Sequence, residues 1–231
     1  MPHTREPQYQ AVLELRAKYE ATRLGLSSDI SWYEDPKRLA FSFSRYKFVS
    51  KMLSGSERVL EIGCGDGFFS RVVLQETGTL TAIDFDQVFI DDALDRAHPE
   101  WEIDFRLHDM LSGPVSGQPF DAAYTLDVLE HIPMEDENQF LENVVRSLKA
   151  HGTLIVGMPS LNSQTYASPR SREGHVNCKH APDLEAFLEK YFEYVFMFSM
   201  NDEVVHTGYH PMAQYLLALC CAPKSLPGGA G

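Results

Sequence analysis

Three glycines at alternate positions follow directly on a short apolar run: Val59-Leu60-Glu61-Ile62-Gly63-Cys64-Gly65-Asp66-Gly67-Phe68-Phe69-Ser70. No other segment restricts the fold as much. Residues 58–62 have the length and apolarity of a buried strand, and residues 66–76 carry a helical pattern. A strand that turns at once into a helix is the first half of a βαβ unit. Glycine permits the tight turn and lets a ligand lie against backbone where a Cβ would collide. The helix start beyond it offers backbone N–H groups that have no partner inside the helix.

The alternation continues along the chain. Strands are expected at 80–83, 102–107, 122–126 and 153–158, with helices at 88–97 and 134–149 between them. This rhythm predicts an α/β fold built on a mostly parallel sheet. Two helices are expected ahead of it, over 6–24 and from Asp35-Pro36 to near Gly55, with Gly25 as the stop between them. Behind it, residues 159–181 read as a long polar surface loop, 183–191 as a short helix, and 194–200 and 211–221 as two closing strands. Residues 224–231 read as a disordered tail. The expected division is a helical extension at 1–55, an α/β domain at 56–222 and a tail at 223–231.

Two cofactor classes suit a glycine turn between strand and helix. A dinucleotide site takes G-x-G-x-x-G. Counted from Gly63 and Gly65, its third glycine falls at position 68, where this chain has Phe68. The glycine stands at 67 instead, which opposes an NAD-dependent oxidoreductase. The pattern E-x-G-x-G-x-G resembles the first motif of class I S-adenosylmethionine-dependent methyltransferases. Further segments are similar to that family in the same order. Thr81-Ala82-Ile83-Asp84 ends the second strand with an acid, and His108-Asp109-Met110 ends the third. Asp121 to Leu126, followed by Asp127 and Glu130-His131-Ile132, is similar to its fourth-strand motif. Gly152 to Val156 is similar to its fifth strand.

The resemblance implies a Rossmann-like, doubly wound, seven-stranded sheet whose last strand is antiparallel. It implies S-adenosyl-L-methionine as cofactor, with S-adenosyl-L-homocysteine as product. Gly63, Cys64, Gly65 and Gly67 would form the cofactor loop, and Asp84 would accept from the ribose hydroxyls. Phe85 would lie against the adenine, and Asp109 with Met110 would flank its amino group. Glu61 and Leu126 complete the lining, and Arg45-Tyr46 resembles a pair that meets the methionine end. His131, after the fourth strand, is the first candidate for general base, and His175 in the long loop the second. A non-catalytic module that keeps the fold is a further alternative, opposed by the intact glycine loop and Asp84.

Composition narrows the acceptor. The formal net charge of −13 repels phosphate backbones and disfavours nucleic-acid substrates. No N/D-P-P-Y/F motif follows the fourth strand. A small-molecule or sugar-like acceptor, methylated on N or O, is the expectation. No apolar run approaches the roughly 18–20 residues that span a bilayer, so no membrane partner is expected. Cys64, Cys178, Cys220 and Cys221 form no CxxC pair and read as free thiols of a cytoplasmic protein. His175, Cys178 and His180 do not supply four ligands by spacing, so no metal is expected. Glu135-Asp136-Glu137 reads as a solvated helix start.

Overall fold

The computed structural model describes residues 2–19 and 21–226. Three helices precede the sheet: α1 (Gln10–Lys18), α2 (Leu26–Glu34) and α3 (Lys37–Met52). The α/β part follows as β1 (Arg58–Ile62), α4 (Ser70–Leu74), β2 (Thr79–Asp84), α5 (Gln87–Asp95), β3 (Asp104–Leu107), β4 (Phe120–Leu126), α6 (Glu137–Ser147) and β5 (Leu148–Pro159). Two short helices come next, α7 (Pro169–Gly174) and α8 (Ala181–Leu188). The chain then closes with β6 (Phe192–Asn201), β7 (Val204–His206) and β8 (Tyr215–Pro223).

The strands form one sheet in the order β3-β2-β1-β4-β5-β8-β6-β7. β1 to β5 run parallel. β8 inserts antiparallel between β5 and β6, and β7 pairs antiparallel with β6 at the edge. Strand periodicity divides the core into two layers. Leu60 and Ile62 of β1, Ala123 of β4 and Leu154, Val156 and Met158 of β5 face the layer filled by α6 and α8. Val59, Ala122, Tyr124, Leu126 and Ile155 face the opposite layer, where Val49 and Leu53 of α3 pack. α6 carries Phe140, Leu141, Val144 and Val145 on its buried face, the 3.6-residue stripe that fixes it to the sheet.

Five sequence expectations change. The sheet has eight strands, not seven, because β7 forms within the connection between β6 and β8. Three helices rather than two precede the sheet, and Gly25 stands not at the end of the first but at the start of α2, whose first backbone bond runs from Asp29 N–H to Gly25 C=O. The helix after the glycine turn is confined to Ser70–Leu74. The long polar loop folds into a 3₁₀ segment, Leu161–Tyr166, and α7. Glu137 is buried rather than solvated: its carboxylate meets Lys179 Nζ at 2.7 Å and accepts from Asn177 Nδ2 at 2.8 Å. Residues 227–231 of the expected tail lie outside the described residues.

Candidate active site

In a parallel sheet, the crevice for a ligand opens at the C-terminal strand edge, where successive strands leave in opposite directions. Here that point lies between β1 and β4, since β2 and β3 lie on one side and β4 and β5 on the other. The glycine turn, Asp84, Asp127, Glu130 and His131 all follow strand ends on this edge.

The turn after β1 is left-handed at all three glycines, with φ of +75° at Gly63, +52° at Gly65 and +66° at Gly67. The glycines differ in what a side chain would meet. A Cβ at Gly63 would stand 2.2 Å from Val128 Cγ2, and one at Gly67 2.5 Å from Phe105 Cε1. A Cβ at Gly65 would meet no heavy atom within 4 Å. Two glycines therefore serve close packing, and the third borders open space.

Asp84 ties the turn to β2. Its Oδ2 accepts the Gly65 N–H at 2.9 Å and its Oδ1 the Asp86 N–H at 2.9 Å. An ionised carboxylate has about four acceptor positions, so roughly two remain. Phe85 is 75% exposed beside it. Asp109 is exposed, and its Oδ1 accepts the Leu111 N–H at 2.8 Å. The side chains of Met110 and Leu126 belong to the two core layers. Cys64 is buried against Ala82 and Ile90, and burial pushes its thiol far above the usual range.

Glu61 is buried under the turn, where Tyr46 donates its phenol to Oε1 at 2.7 Å. Burial raises the carboxyl to about 7, against the opposing pull of the Ser70, Tyr46 and Tyr124 hydroxyls. Its Oε2 has no partner in hydrogen-bonding geometry, nor do Ser70 Oγ and Tyr124 OH. Arg45 does not stand free. Its Nη1 pairs with Asp127 Oδ2 at 2.7 Å, and the guanidinium lies 3.8 Å from the Tyr215 ring centroid. Asp127 itself holds φ +57°, a left-handed conformation that Asp tolerates better than most residues.

The folded loop brings His175 to His131, with ring centroids 5.2 Å apart. His131 Nδ1 lies 2.8 Å from the Gly174 carbonyl, and His175 Nδ1 lies 2.9 Å from Gln164 Oε1. Burial and the neighbouring imidazole lower the His175 pKa. Glu130, buried beside them, has no partner for either carboxylate oxygen, and burial with the nearby Asp127 charge raises its pKa well above the usual range. In the sequence Glu130 stands out only as part of the fourth-strand motif. The signal for it, a carboxylate without a partner in the 3₁₀ turn Leu129–His131, is visible only once burial is known. A cleft of about 1290 Å³ lies elsewhere: Lys18, Tyr19, Arg23 and Trp101 help line it, and none of Asp84, Asp127, Glu130, His131 or His175 does.

Residues 59–152 match the family model described as a methyltransferase domain. Over this stretch the chain is similar to methyltransferase domains. It is also similar to curated ubiquinone biosynthesis O-methyltransferases. That of Coxiella burnetii (strain Dugway 5J108-111) is 25% identical over 124 residues, covering 53% of this chain and 52% of the relative. That of Xylella fastidiosa (strain 9a5c) is 33% identical over 118 residues, covering 48% and 46%. The chain thus spans about half the length of the curated relatives it matches. Among solved structures, the N-methyltransferase NodS from Bradyrhizobium japonicum WM9, in complex with S-adenosyl-L-homocysteine, shares the fold. Its TM-score is 0.62 at 22% identity, over 83% of this chain and 93% of that one. The plantazolicin methyltransferase BpumL gives 0.59 at 15% identity, over 84% and 93%.

Proposed function

We propose that this chain is an S-adenosylmethionine-dependent methyltransferase acting on an N or O atom of a small-molecule acceptor. One observation carries the reading: of the three left-handed glycines in the turn after β1, only Gly65 borders unfilled space, and its N–H is fixed by Asp84. A backbone bared in this way beside a carboxylate with spare acceptor positions suits an adenosyl group, with Asp84 taking the ribose hydroxyls. Phe85 stands exposed beside it, available to an adenine face, and Asp109 with Met110 flanks the same edge. Glu61 Oε2, buried and unpartnered, suits the ammonium of the methionine end. Arg45 and Tyr46 act on that end by holding Asp127 and Glu61 in place.

When bound, the sulfonium supplies an activated methyl group. The protein's part is then alignment and exclusion of water, and proximity alone is worth roughly 7–11 kcal/mol. Residues 1–55 act as a cap over this edge in our reading, with residues 56–222 as the catalytic unit. His131 and His175 stand at the same edge. Each donates its Nδ1 hydrogen to an oxygen, which fixes the orientation of both rings. The acidic surface, with net charge −13, favours a small acceptor over nucleic acid.

Calorimetry with S-adenosylhomocysteine tests the reading. Saturable binding at one per chain, lost in a Gly65→Val variant that still folds, is the expected result. No binding to the folded wild-type chain would overturn it.

A further inference from the structure

Two imidazoles and one carboxylate converge where the loop after β5 meets the end of β4. One ligand atom from each of Glu130, His131 and His175 lies within 4.8 Å of the others. Three independent features set this cluster apart from incidental polar residues. Both oxygens of Glu130 are buried without a partner, in a side chain that is 0% exposed. An uncompensated buried carboxylate is costly, and a cation beside it relieves that cost.

The tautomers of both histidines are the second feature. A carbonyl oxygen can only accept, so the contact with Gly174 requires the hydrogen of His131 on Nδ1. Gln164 turns its Nε2 to the Ser160 carbonyl, which leaves Oε1 for His175 and again places the hydrogen on Nδ1. In the neutral ring the lone pair then sits on Nε2, and no hydrogen bond of the described residues uses that atom in either histidine. An imidazole held through Nδ1–H by a carbonyl oxygen is the usual support of a metal-ligating histidine.

The third feature is the anchoring of the loop. Asn177 N–H donates to the Glu130 carbonyl at 3.0 Å, and the buried Lys179–Glu137–Asn177 group locks the loop to α6. Gly174 allows the close approach, since a Cβ there would stand 3.3 Å from the His131 ring. A single general base needs one imidazole. Two imidazoles gathered with a buried carboxylate supply three candidate ligands at one place.

We infer that Glu130, His131 and His175 form a binding site for one divalent transition-metal ion of the zinc or manganese class, which fastens the 160–178 loop to the sheet edge. Two nitrogen donors disfavour magnesium and calcium, which take oxygen. This departs from the expectation that the chain holds no metal. That expectation considered His175 with Cys178 and His180, and left out Glu130. Binding of the ion is independent of the methyltransferase reading. Only its second role, holding an acceptor oxygen in its open position, rests on that reading.

The test uses the full chain stripped with chelator and titrated with zinc alone. Calorimetry should show one site per chain with micromolar or tighter affinity, and cobalt should give visible absorption bands from nitrogen and oxygen ligation. Glu130→Gln and His175→Asn should each weaken zinc at least tenfold, and Gln164→Ala, which frees the His175 ring, should weaken it several-fold. Zinc should also slow amide exchange across residues 160–178 in the wild type but not in His175→Asn. His175 lies on the loop, so this variant stays folded if removing the Glu130 carboxylate unsettles the core. Absence of saturable zinc binding, or affinity unchanged in both Glu130→Gln and His175→Asn, would overturn the site. S-adenosylhomocysteine titrated into the same samples separates the two readings: intact nucleoside binding without zinc binding removes the cation site alone.

Discussion

Arg45 is held between two partners at right angles in kind: the Asp127 carboxylate at 2.7 Å and the face of Tyr215 at 3.8 Å. The contact joins α3 to the end of β4 and the start of β8, three elements far apart in sequence. The guanidinium side chain is 20% exposed and the carboxylate 43%, between a surface pair and a buried one. Arg45→Lys keeps the charge but loses the planar contact with the ring. We expect Arg45→Lys and Asp127→Asn each to cost about 1–2 kcal/mol. A double-mutant cycle in urea should show coupling, because the two side chains share one contact. Additive effects would mean that the pair contributes nothing as a pair.

Asp84→Ala removes the acceptor of the Gly65 N–H as well as the proposed ribose contact. The expected loss of S-adenosylhomocysteine affinity is at least tenfold, about 1.4 kcal/mol or more. Calorimetry reads it directly, and unchanged affinity would remove Asp84 from the site.

The three glycines of the turn should separate by phenotype. Gly63→Ala and Gly67→Ala push a Cβ into Val128 and Phe105, so both should lower the melting temperature sharply. Gly65→Ala meets no atom, and its cost should be limited to the left-handed backbone, roughly 1–2 kcal/mol. Its loss should fall on ligand binding. A Gly65→Ala chain that binds S-adenosylhomocysteine as the wild type does would show that the open space is not the cofactor's.

The buried Glu61 gives stability a defined pH dependence. Its carboxyl titrates at about 7 in the fold and near 4.5 when unfolded. Between those values the native state holds the extra proton, so the contribution is fully present below about 4.5 and is lost as pH rises through 7. The size is about 3 kcal/mol at most. Denaturant melts from pH 5 to 8 should show wild-type stability falling relative to Glu61→Gln, which carries no titrating group. Parallel curves for the two proteins would contradict this.

Lys179, Glu137 and Asn177 form a closed, buried set that holds the loop carrying His175. Lys179→Met leaves the Glu137 carboxylate uncompensated and should cost about 3–5 kcal/mol. Adding Glu137→Gln should recover part of that loss. Equilibrium unfolding of the single and double variants decides it: a double variant no more stable than the single one would rule out the charge as the cause.

Most of the central sheet was legible because its strands are buried on both faces and its helices carry apolar stripes. The first strand is read at residues 58–62, as observed, and the glycine spacing favours S-adenosylmethionine over a dinucleotide only together with the later motifs in their order. The rest depended on partners distant in sequence. The start of α2 at Gly25 follows from the approach of Asp66, and the burial of Glu137 follows from Lys179, some forty residues on. The loop after β5 looks like polar linker because its order comes from side chains that bond backbone, such as Ser160 and Ser168 at helix starts, rather than from an apolar pattern. Local periodicity carries no information about such contacts.

The carboxylate of Asp66 accepts the Ser28 N–H at 2.8 Å while also taking the Phe68 N–H at 3.0 Å. The aspartate in the middle of the glycine turn is thus shared by the sheet and by a helix that precedes it. Trimming the first thirty residues would strip that anion of its outer donor. It would loosen the very bend that was to be uncovered, so a shortened chain should be a poorer receptor rather than a more open one.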